Sequence, residues 1–263
     1  MKYLEYPLFA EGYVNRFLTA GVFTEVQQFD KVKLHGRVNE WLKKGFAIHE
    51  NPCRKEFVRK RQENMPDYLE LDGATDGKNV EVFGQTRPLI PYFPFGNTGV
   101  DGSGFYYCPT WLRMYSYVLL EAERDCDVEF ELETCGGVTI WVDGAFVTDF
   151  TPFTRNMVKK TTVVLPLKAG KNRLLVCLDD LAERDTDYYF RLKRLGDAAL
   201  TMLVPVRDEV EADVIGRLEN MLDQMYFDKE ACISETVKLN ISNPFSCPLP
   251  VTVAVAPGEF IEK

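Results

Sequence analysis

The stretch VTIWVDGAFV, residues 138–147, decides the fold. Residues 138–142 are of the β-branched and aromatic types that favour strands. They are followed by Asp143 and Gly144, a pair that readily adopts the positive φ angles of a tight hairpin turn. This stretch therefore predicts a β-strand that ends in a hairpin turn.

The alternation of apolar and polar side chains that is typical of half-buried strands extends to both sides of this hairpin. In YLELDG, residues 68–73, the alternation places Tyr68, Glu70 and Asp72 on one face of a predicted strand. Further strands are predicted at residues 14–26, 79–84, 114–123, 126–133, 161–167, 172–178 and 188–195. Short strands separated by Gly, Asp and Lys indicate an all-β antiparallel β-sandwich or jelly roll and not βαβ units.

The composition is that of a globular protein and argues against binding to nucleic acids and membranes. Of the 263 residues, 46% are hydrophobic and 27% are charged, which is enough for a core. The net charge of −9 repels phosphate backbones and anionic lipid headgroups. No stretch approaches the roughly 18 apolar residues of a membrane span. The seven cysteines, an odd number without CxxC spacing, argue against a disulfide framework and predict a cytoplasmic location.

The spacing of apolar residues changes after Leu203, where they recur at intervals of three and four residues. This pattern predicts an amphipathic helix over residues 206–227, which begins near Pro205. Strand-like alternation returns at residue 235. Earlier in the chain, residues 35–67 are polar and predict a long excursion, whose basic cluster is either a solvated face or a binding patch.

These changes of pattern predict the domain organisation. We expect a β-sandwich over residues 1–203 and a linker helix within residues 204–234. Residues 235–263 are either the truncated start of a second β-sandwich or strands that join the first one. The remainder of a longer, multidomain polypeptide is then a partner of this chain.

Two motifs carry a resemblance to a known family. VTIWVDGAFV and the later VVLPLKAGKNRLLVCL, residues 163–178, resemble the galactose-binding-like jelly-roll modules of large bacterial glycoside hydrolases. The resemblance rests on Trp141 to Gly144 and on Leu167 to Asn172, and spans residues 14–195. It implies a galactose-binding-like jelly roll that either binds carbohydrate or braces a catalytic partner.

A sugar site needs aromatic rings that stack on pyranose faces, with amides or carboxylates for the hydroxyls. The segment YFPFGNTGVDGSGFYYCPTW, residues 92–111, offers Tyr106, Tyr107, Trp111 and Asn97. An aromatic loop of this kind is either a binding platform or a plug that fills one end of the sandwich. Trp141 and Asp143 are further candidates, with a core tryptophan and a solvated loop residue as the alternatives.

No catalytic or cofactor motif is evident. The chain has no G-x-S-x-G elbow and no phosphate-binding loop, and its two histidines, His35 and His49, form no zinc signature. Residues 72–79 and 101–104 are candidate sites for a structural calcium, although plain turns are the favoured interpretation of both. The 40 acidic residues leave the question of an enzyme open, since glycoside hydrolysis needs only two facing carboxylates.

The sequence thus predicts a non-catalytic carbohydrate-binding or bracing module, without a cofactor, from a multidomain carbohydrate-active protein. One alternative is a portion of a glycoside hydrolase whose active site lies in a missing C-terminal part. The other is a β-sandwich that binds another protein. Exposed aromatic rings beside amides or acids favour the first function, a carboxylate pair in a deep cleft the second, and a large flat apolar patch the third.

Overall fold

The structure is a computed structural model that describes residues 2–9, 11–26, 68–207, 211–227 and 239–251. The chain divides into two compact units, residues 1–210 and 211–263. The described residues are mostly antiparallel strands with one helix, which confirms the predicted all-β class. Three features of the sequence analysis lie outside the described residues: the predicted excursion over 35–67, both histidines and the alternation beyond residue 251.

The strands are β1 (Lys2–Leu8), β2 (Leu18–Val26), β3 (Asn79–Val82), β4 (Gln85–Pro88), β5 (Ile90–Pro91), β6 (Val100–Asp101), β7 (Gly104–Ala122), β8 (Cys126–Thr134), β9 (Gly137–Val142), β10 (Ala145–Phe150), β11 (Lys159–Leu167), β12 (Gly170–Thr186), β13 (Tyr189–Arg194), β14 (Leu200–Val206), β15 (Tyr226–Phe227) and β16 (Leu239–Asn240). The helix is α1 (Ala212–Asp223).

The described part of the first unit has two large antiparallel sheets and a small two-stranded sheet of β3 and β4. The larger sheet has the order β1-β14-β7-β12-β9-β10, with β2 paired to both β7 and β5. The smaller sheet has the order β11-β8-β13-β6. The ring of Phe17, just before β2, packs edge-on against Phe190 of β13 at 5.6 Å, inside the core between the sheets. The architecture is the expected β-sandwich.

The two sheets differ in how they are covered. Strand β8 of the smaller sheet alternates between buried and exposed residues, as a sheet with one solvated face does. Every residue of β9 in the larger sheet is buried, so this sheet is covered on both faces. We call the face turned away from the smaller sheet the outer face. The register places Trp141, Leu175 and Tyr117 side by side on it.

The segment of residues 68–88 contacts this outer face. Tyr68 packs against Trp141, and Phe83 packs against Trp111. The side-chain amide of Gln85 donates to the Thr24 carbonyl at 2.6 Å. The sequence predicted a strand at residues 68–73, but this prediction was wrong, because the backbone there is irregular and turns at Leu71. The apolar and polar residues alternate there because Leu69 and Leu71 pack against the larger sheet, although the segment forms no strand of that sheet.

The hairpin turn on which the sequence analysis began is present. Ala145 pairs with Val142, which leaves Asp143 and Gly144 as a two-residue turn between β9 and β10. Their φ angles of 49° and 81° are those of a type I′ turn. The predicted strand positions are otherwise confirmed, although β7 begins ten residues earlier than expected, at Gly104, and β12 runs on to Thr186.

The C-terminal boundaries also differ from the prediction. Strand β14 extends to Val206 because it pairs along its whole length with β1, and the sequence analysis missed both strands. Pro205 therefore belongs to a strand, and the helix begins only at Ala212. In the second unit, residues 239–240 pair with residues 226–227 before them in the chain.

Candidate functional site

The aromatic segment predicted as a sugar platform is only partly exposed. Tyr107 has 65% and Phe105 has 37% of its surface exposed, and their rings meet edge-to-face at 4.9 Å. Tyr106 is half-buried, and this burial raises the pKa of its phenol. Asn97 is exposed in a turn, where its carbonyl accepts a hydrogen bond from the Asn15 side chain.

Trp111 has no exposed face to offer. It is fully buried with Phe153 and Leu181 in a small apolar cluster, with Phe83 packed against it. The structure therefore separates Trp111 from the exposed rings of Tyr107 and Phe105, although all three belong to β7. This burial agrees with the alternative of an aromatic plug for this residue.

The structure does bring Trp141 and Asp143 together with residues from elsewhere in the chain. Trp141 is 4% exposed, and the ring of Tyr68 packs against it edge-on at 5.8 Å. Beside this pair is a hollow of about 10 Å³, room for one water molecule. We call it the Arg173 hollow; its lining residues are Tyr68, Leu69, Glu70, Leu71, Tyr117, Gly144, Arg173 and Leu175.

A single guanidinium faces three carboxylates at the rim of the hollow. Nη1 of Arg173 is 3.2 Å from an Asp72 oxygen and 3.8 Å from a Glu70 oxygen. Nε of Arg173 is 3.4 Å from Oδ1 of Asp143, which also accepts the Arg173 backbone N–H at 2.9 Å. Burial acts to lower the pKa of Arg173, but the carboxylates, Asp143 first, outweigh it and raise the pKa.

Two phenol groups complete the polar surroundings. The hydroxyl of Tyr68 donates to Glu70 at 3.2 Å, and its pKa is raised, first by burial and then by Glu70. Tyr117 lies deeper, and burial raises its pKa to about 12. Both groups are therefore neutral at physiological pH and keep an O–H that can donate a hydrogen bond.

The hairpin turn explains why the chain can build this hollow. Asp143 is the first residue of the turn, which aims its carboxylate back at Arg173 on the neighbouring strand β12. Gly144 follows with a φ of 81°, and a Cβ at this position would lie 2.9 Å from the Tyr68 hydroxyl. A glycine is needed here both for the backbone conformation and for the close approach of Tyr68.

Sequence reasoning missed four residues of this site: Tyr68, Glu70, Asp72 and Arg173. A partial signal was present, because the alternation in YLELDG placed the first three on one face. Their common partner lies about a hundred residues further along, within the LKAGKNRLLV motif that was considered only for its turn. No local pattern connects the two stretches.

A larger groove lies elsewhere in the first unit. It has about 460 Å³ of space and is lined by Pro7, Leu8, Glu121, Ala122, Glu123, Gly170, Ala199, Leu200 and Thr201. No aromatic ring lines it, so it lacks the stacking surface that a sugar site uses. Across the described ranges, no group of three or more His, Cys, Asp or Glu side chains is placed to hold a metal ion.

Comparisons with known proteins find structural similarity at low sequence identity. No family model and no curated protein matches the sequence. A family 35 carbohydrate-binding module from an environmental isolate is 16% identical over 42% of this chain and 78% of its own, with a TM-score of 0.27. A β-glucosidase from Kluyveromyces marxianus, solved in complex with glucose, is 12% identical over 56% of this chain and 18% of its own, with a TM-score of 0.32.

A point mutant of a family 29 carbohydrate-binding module is 12% identical over 47% of this chain and 87% of its own, with a TM-score of 0.21. The structural neighbours are thus carbohydrate-binding modules and glycoside hydrolases. At these identities and TM-scores they assign neither a family nor a ligand to this chain. Within the described residues, no helix is both long and apolar enough to cross a membrane.

Proposed function

We propose that this chain is a non-catalytic carbohydrate-binding module and that the sugar binds over the Arg173 hollow. The observation that carries the proposal is the juxtaposition of the partly exposed Tyr68 ring with one guanidinium and three carboxylates. Asp72, Glu70 and Asp143 have side chains that are 83%, 65% and 42% exposed, so a ligand can reach them. Arg173 is 34% exposed beside them.

This set of groups matches the chemistry of a sugar. Each hydroxyl of a pyranose is both a donor and an acceptor, whereas carboxylates only accept and a guanidinium only donates. Hydrogen bonds to charged groups are stronger than those between neutral groups. The partly buried ring of Tyr68 offers an apolar edge for the C–H groups of the sugar.

The size of the hollow decides how the sugar binds. Its 10 Å³ cannot enclose a pyranose, but one hydroxyl can replace a single water molecule there. The rest of the sugar lies over the rim, so binding is weak and reversible. A hollow of this size cannot place a scissile bond between two carboxylates, which favours binding over hydrolysis at this position.

A second candidate surface is the pair Phe105 and Tyr107. These rings are exposed on β7, but their planes are 69° apart, so a flat sugar face can stack on only one of them at a time. Tyr107 and the half-buried Tyr106 keep their predicted role in this proposal, with Asn97 as an exposed amide. The Arg173 hollow ranks first because it supplies charged hydrogen-bonding groups together with its rings.

The wider setting of the module belongs to the same proposal. The resemblance in the sequence suggests a galactose-binding-like module of a longer bacterial glycoside hydrolase, and the cysteine pattern suggests a cytoplasmic location. In that setting the chain either binds sugar for its catalytic partner or braces it. The alternatives of a structural calcium and of a protein ligand remain predictions.

A glycan array probed with the whole 263-residue chain, with and without calcium, tests the proposal. Specific binding should be weakened in Asp72→Asn, which removes one exposed carboxylate from Arg173. Asp125→Asn is the matched control, because Asp125 is also an exposed aspartate and pairs with Lys168 at 3.1 Å. Tyr107→Ala tests the second surface in the same experiment.

Each outcome of the array has a meaning. Binding that is unchanged in Asp125→Asn and weakened in Asp72→Asn supports the Arg173 hollow. Binding that fails only in Tyr107→Ala moves the site to the aromatic pair. A blank array from folded protein overturns sugar binding and leaves the bracing role.

A further inference from the structure

We infer that the Arg173 hollow selects amine-bearing sugars over neutral ones and rejects uronic acids. This inference rests on the proposed function and specifies its ligand class. It follows from the charges around the hollow and from the positions of donors and acceptors, which together disfavour an anionic ligand although an arginine is present.

The charges around the hollow do not cancel. Arg173 contributes one positive charge, while Glu70, Asp72 and Asp143 contribute three negative ones, which leaves two negative charges. Lys171 is the nearest basic neighbour in sequence, and its ammonium lies over the Tyr3 ring at 3.9 Å. The net charge of the chain, −9, has the same sign as this local excess.

Exposure determines which charges a ligand meets first. The carboxylates of Asp72 and Glu70 are more exposed than the guanidinium of Arg173, which already directs Nε and Nη1 at acids. A carboxylate on a sugar would have to compete with these acids for an occupied guanidinium. An ammonium would instead find several acceptors within one site.

The balance of donors and acceptors points the same way. Carboxylates only accept hydrogen bonds, and the Tyr68 hydroxyl already donates to Glu70. The rim therefore has a surplus of acceptors, which a protonated amine with three N–H donors satisfies better than a hydroxyl with one.

The effect is modest because the groups are exposed. Exposed charge pairs of this kind change affinity by about two- to fivefold. We expect the amine-bearing sugar to bind about two- to fivefold more tightly than its neutral parent, and the uronate more weakly by a similar factor. In 1 M salt, where the Debye length is about 3 Å, both affinity ratios should approach one.

The test uses matched neutral, 2-amino and 6-carboxylate members of the gluco, galacto and manno series. Their dissociation constants for the whole chain are measured by NMR titration at pH 6, in low salt and in 1 M salt. Asp72→Asn removes one of the two excess negative charges, so it should lower the preference for the amine and relieve the rejection of the uronate. Asp125→Asn should leave both ratios unchanged.

The outcomes separate this inference from the proposed function. If no member of any series binds, the proposed function is overturned and the inference with it. If sugars bind but the uronate binds as tightly as the amine, only the inference is overturned. A preference for the amine that Asp72→Asn leaves intact also overturns it, because the selectivity would then arise away from the hollow.

Discussion

Nε of Arg113 is 2.7 Å from Oδ1 of Asp179, and Nη2 of Arg113 is 2.9 Å from the second oxygen. The two residues face each other across β7 and β12 on the outer face, and each side chain is 1% exposed. Burial alone would lower the pKa of Arg113, but Cys177 and Asp179 outweigh it and hold the pKa above its ordinary value. The larger sheet thus carries a fully buried, bidentate ion pair.

Breaking this pair should be costly. Asp179→Asn leaves a buried guanidinium without its counter-charge, and we expect a loss of about 3–5 kcal/mol in the free energy of unfolding. The double variant R113M/D179L should lose much less, because it removes both charges and fills the space with apolar groups. Urea denaturation of the three proteins measures this. Equal losses in the single and double variants would contradict it.

Gly144→Ala should destabilise the protein more than Gly196→Ala. The two glycines have nearly the same φ, 81° and 80°, so both substitutions carry a conformational cost of about 1–3 kcal/mol. A new Cβ at Gly144 also lies 2.9 Å from the Tyr68 hydroxyl, whereas Gly196 has no atom within 4 Å. We expect an additional loss of about 1 kcal/mol for Gly144→Ala in thermal denaturation. Equal losses would mean that Tyr68 moves aside freely.

Asn172→Ala should loosen the turn between β11 and β12. The buried side-chain amide of Asn172 donates to the carbonyls of Leu120, Lys168 and Gly170, and its oxygen accepts the Lys168 N–H at 2.7 Å. We expect a loss of about 2–4 kcal/mol in urea denaturation. Asn15→Ala, which removes one solvent-exposed hydrogen bond to the Asn97 carbonyl, is the control and should lose about 1 kcal/mol or less.

The stability of the protein should fall steeply between pH 10 and pH 12. Tyr117 titrates at about 12 in the folded protein against 10.0 in its ordinary state. The unfolded chain releases this proton first as the pH rises, so stability that is present below pH 10 is lost up to pH 12. Two pKa units correspond to about 3 kcal/mol. Tyr117→Phe should make this part of the pH profile less steep without removing the slope, because burial also raises the pKa values of Tyr115 and Tyr189. Urea denaturation of both proteins at several pH values from 9 to 12 measures the difference, and identical slopes would contradict the prediction.

The fold could largely be predicted from the sequence because its signals are local. The Asp143-Gly144 turn and the alternation in β8 and β11 depend on neighbours within a few residues. Strand β14 could not be predicted in this way, since Pro205 is held in the sheet by Tyr3, about two hundred residues earlier. The helix start was misplaced for the same reason.

The candidate site depended on contacts that no local pattern reveals. Composition suggested stacking aromatics, but the structure buries Trp111 under Phe83 and leaves Tyr107 exposed on the same strand. Asp72 and Arg173 are 101 residues apart and meet only because residues 68–72 cross the outer face. The pairing of Trp141 with Tyr68 has the same origin.

The coverage of the outer face by residues 68–88 has a consequence for anyone who shortens this protein. A version in which a short flexible linker replaces residues 68–88 would keep every strand of the two large sheets, yet it would expose Trp111 and Trp141 to water. Such a product should self-associate and bind hydrophobic dyes, even though its two sheets look complete on paper. The smallest piece worth expressing therefore includes the irregular stretch that a strand map would discard.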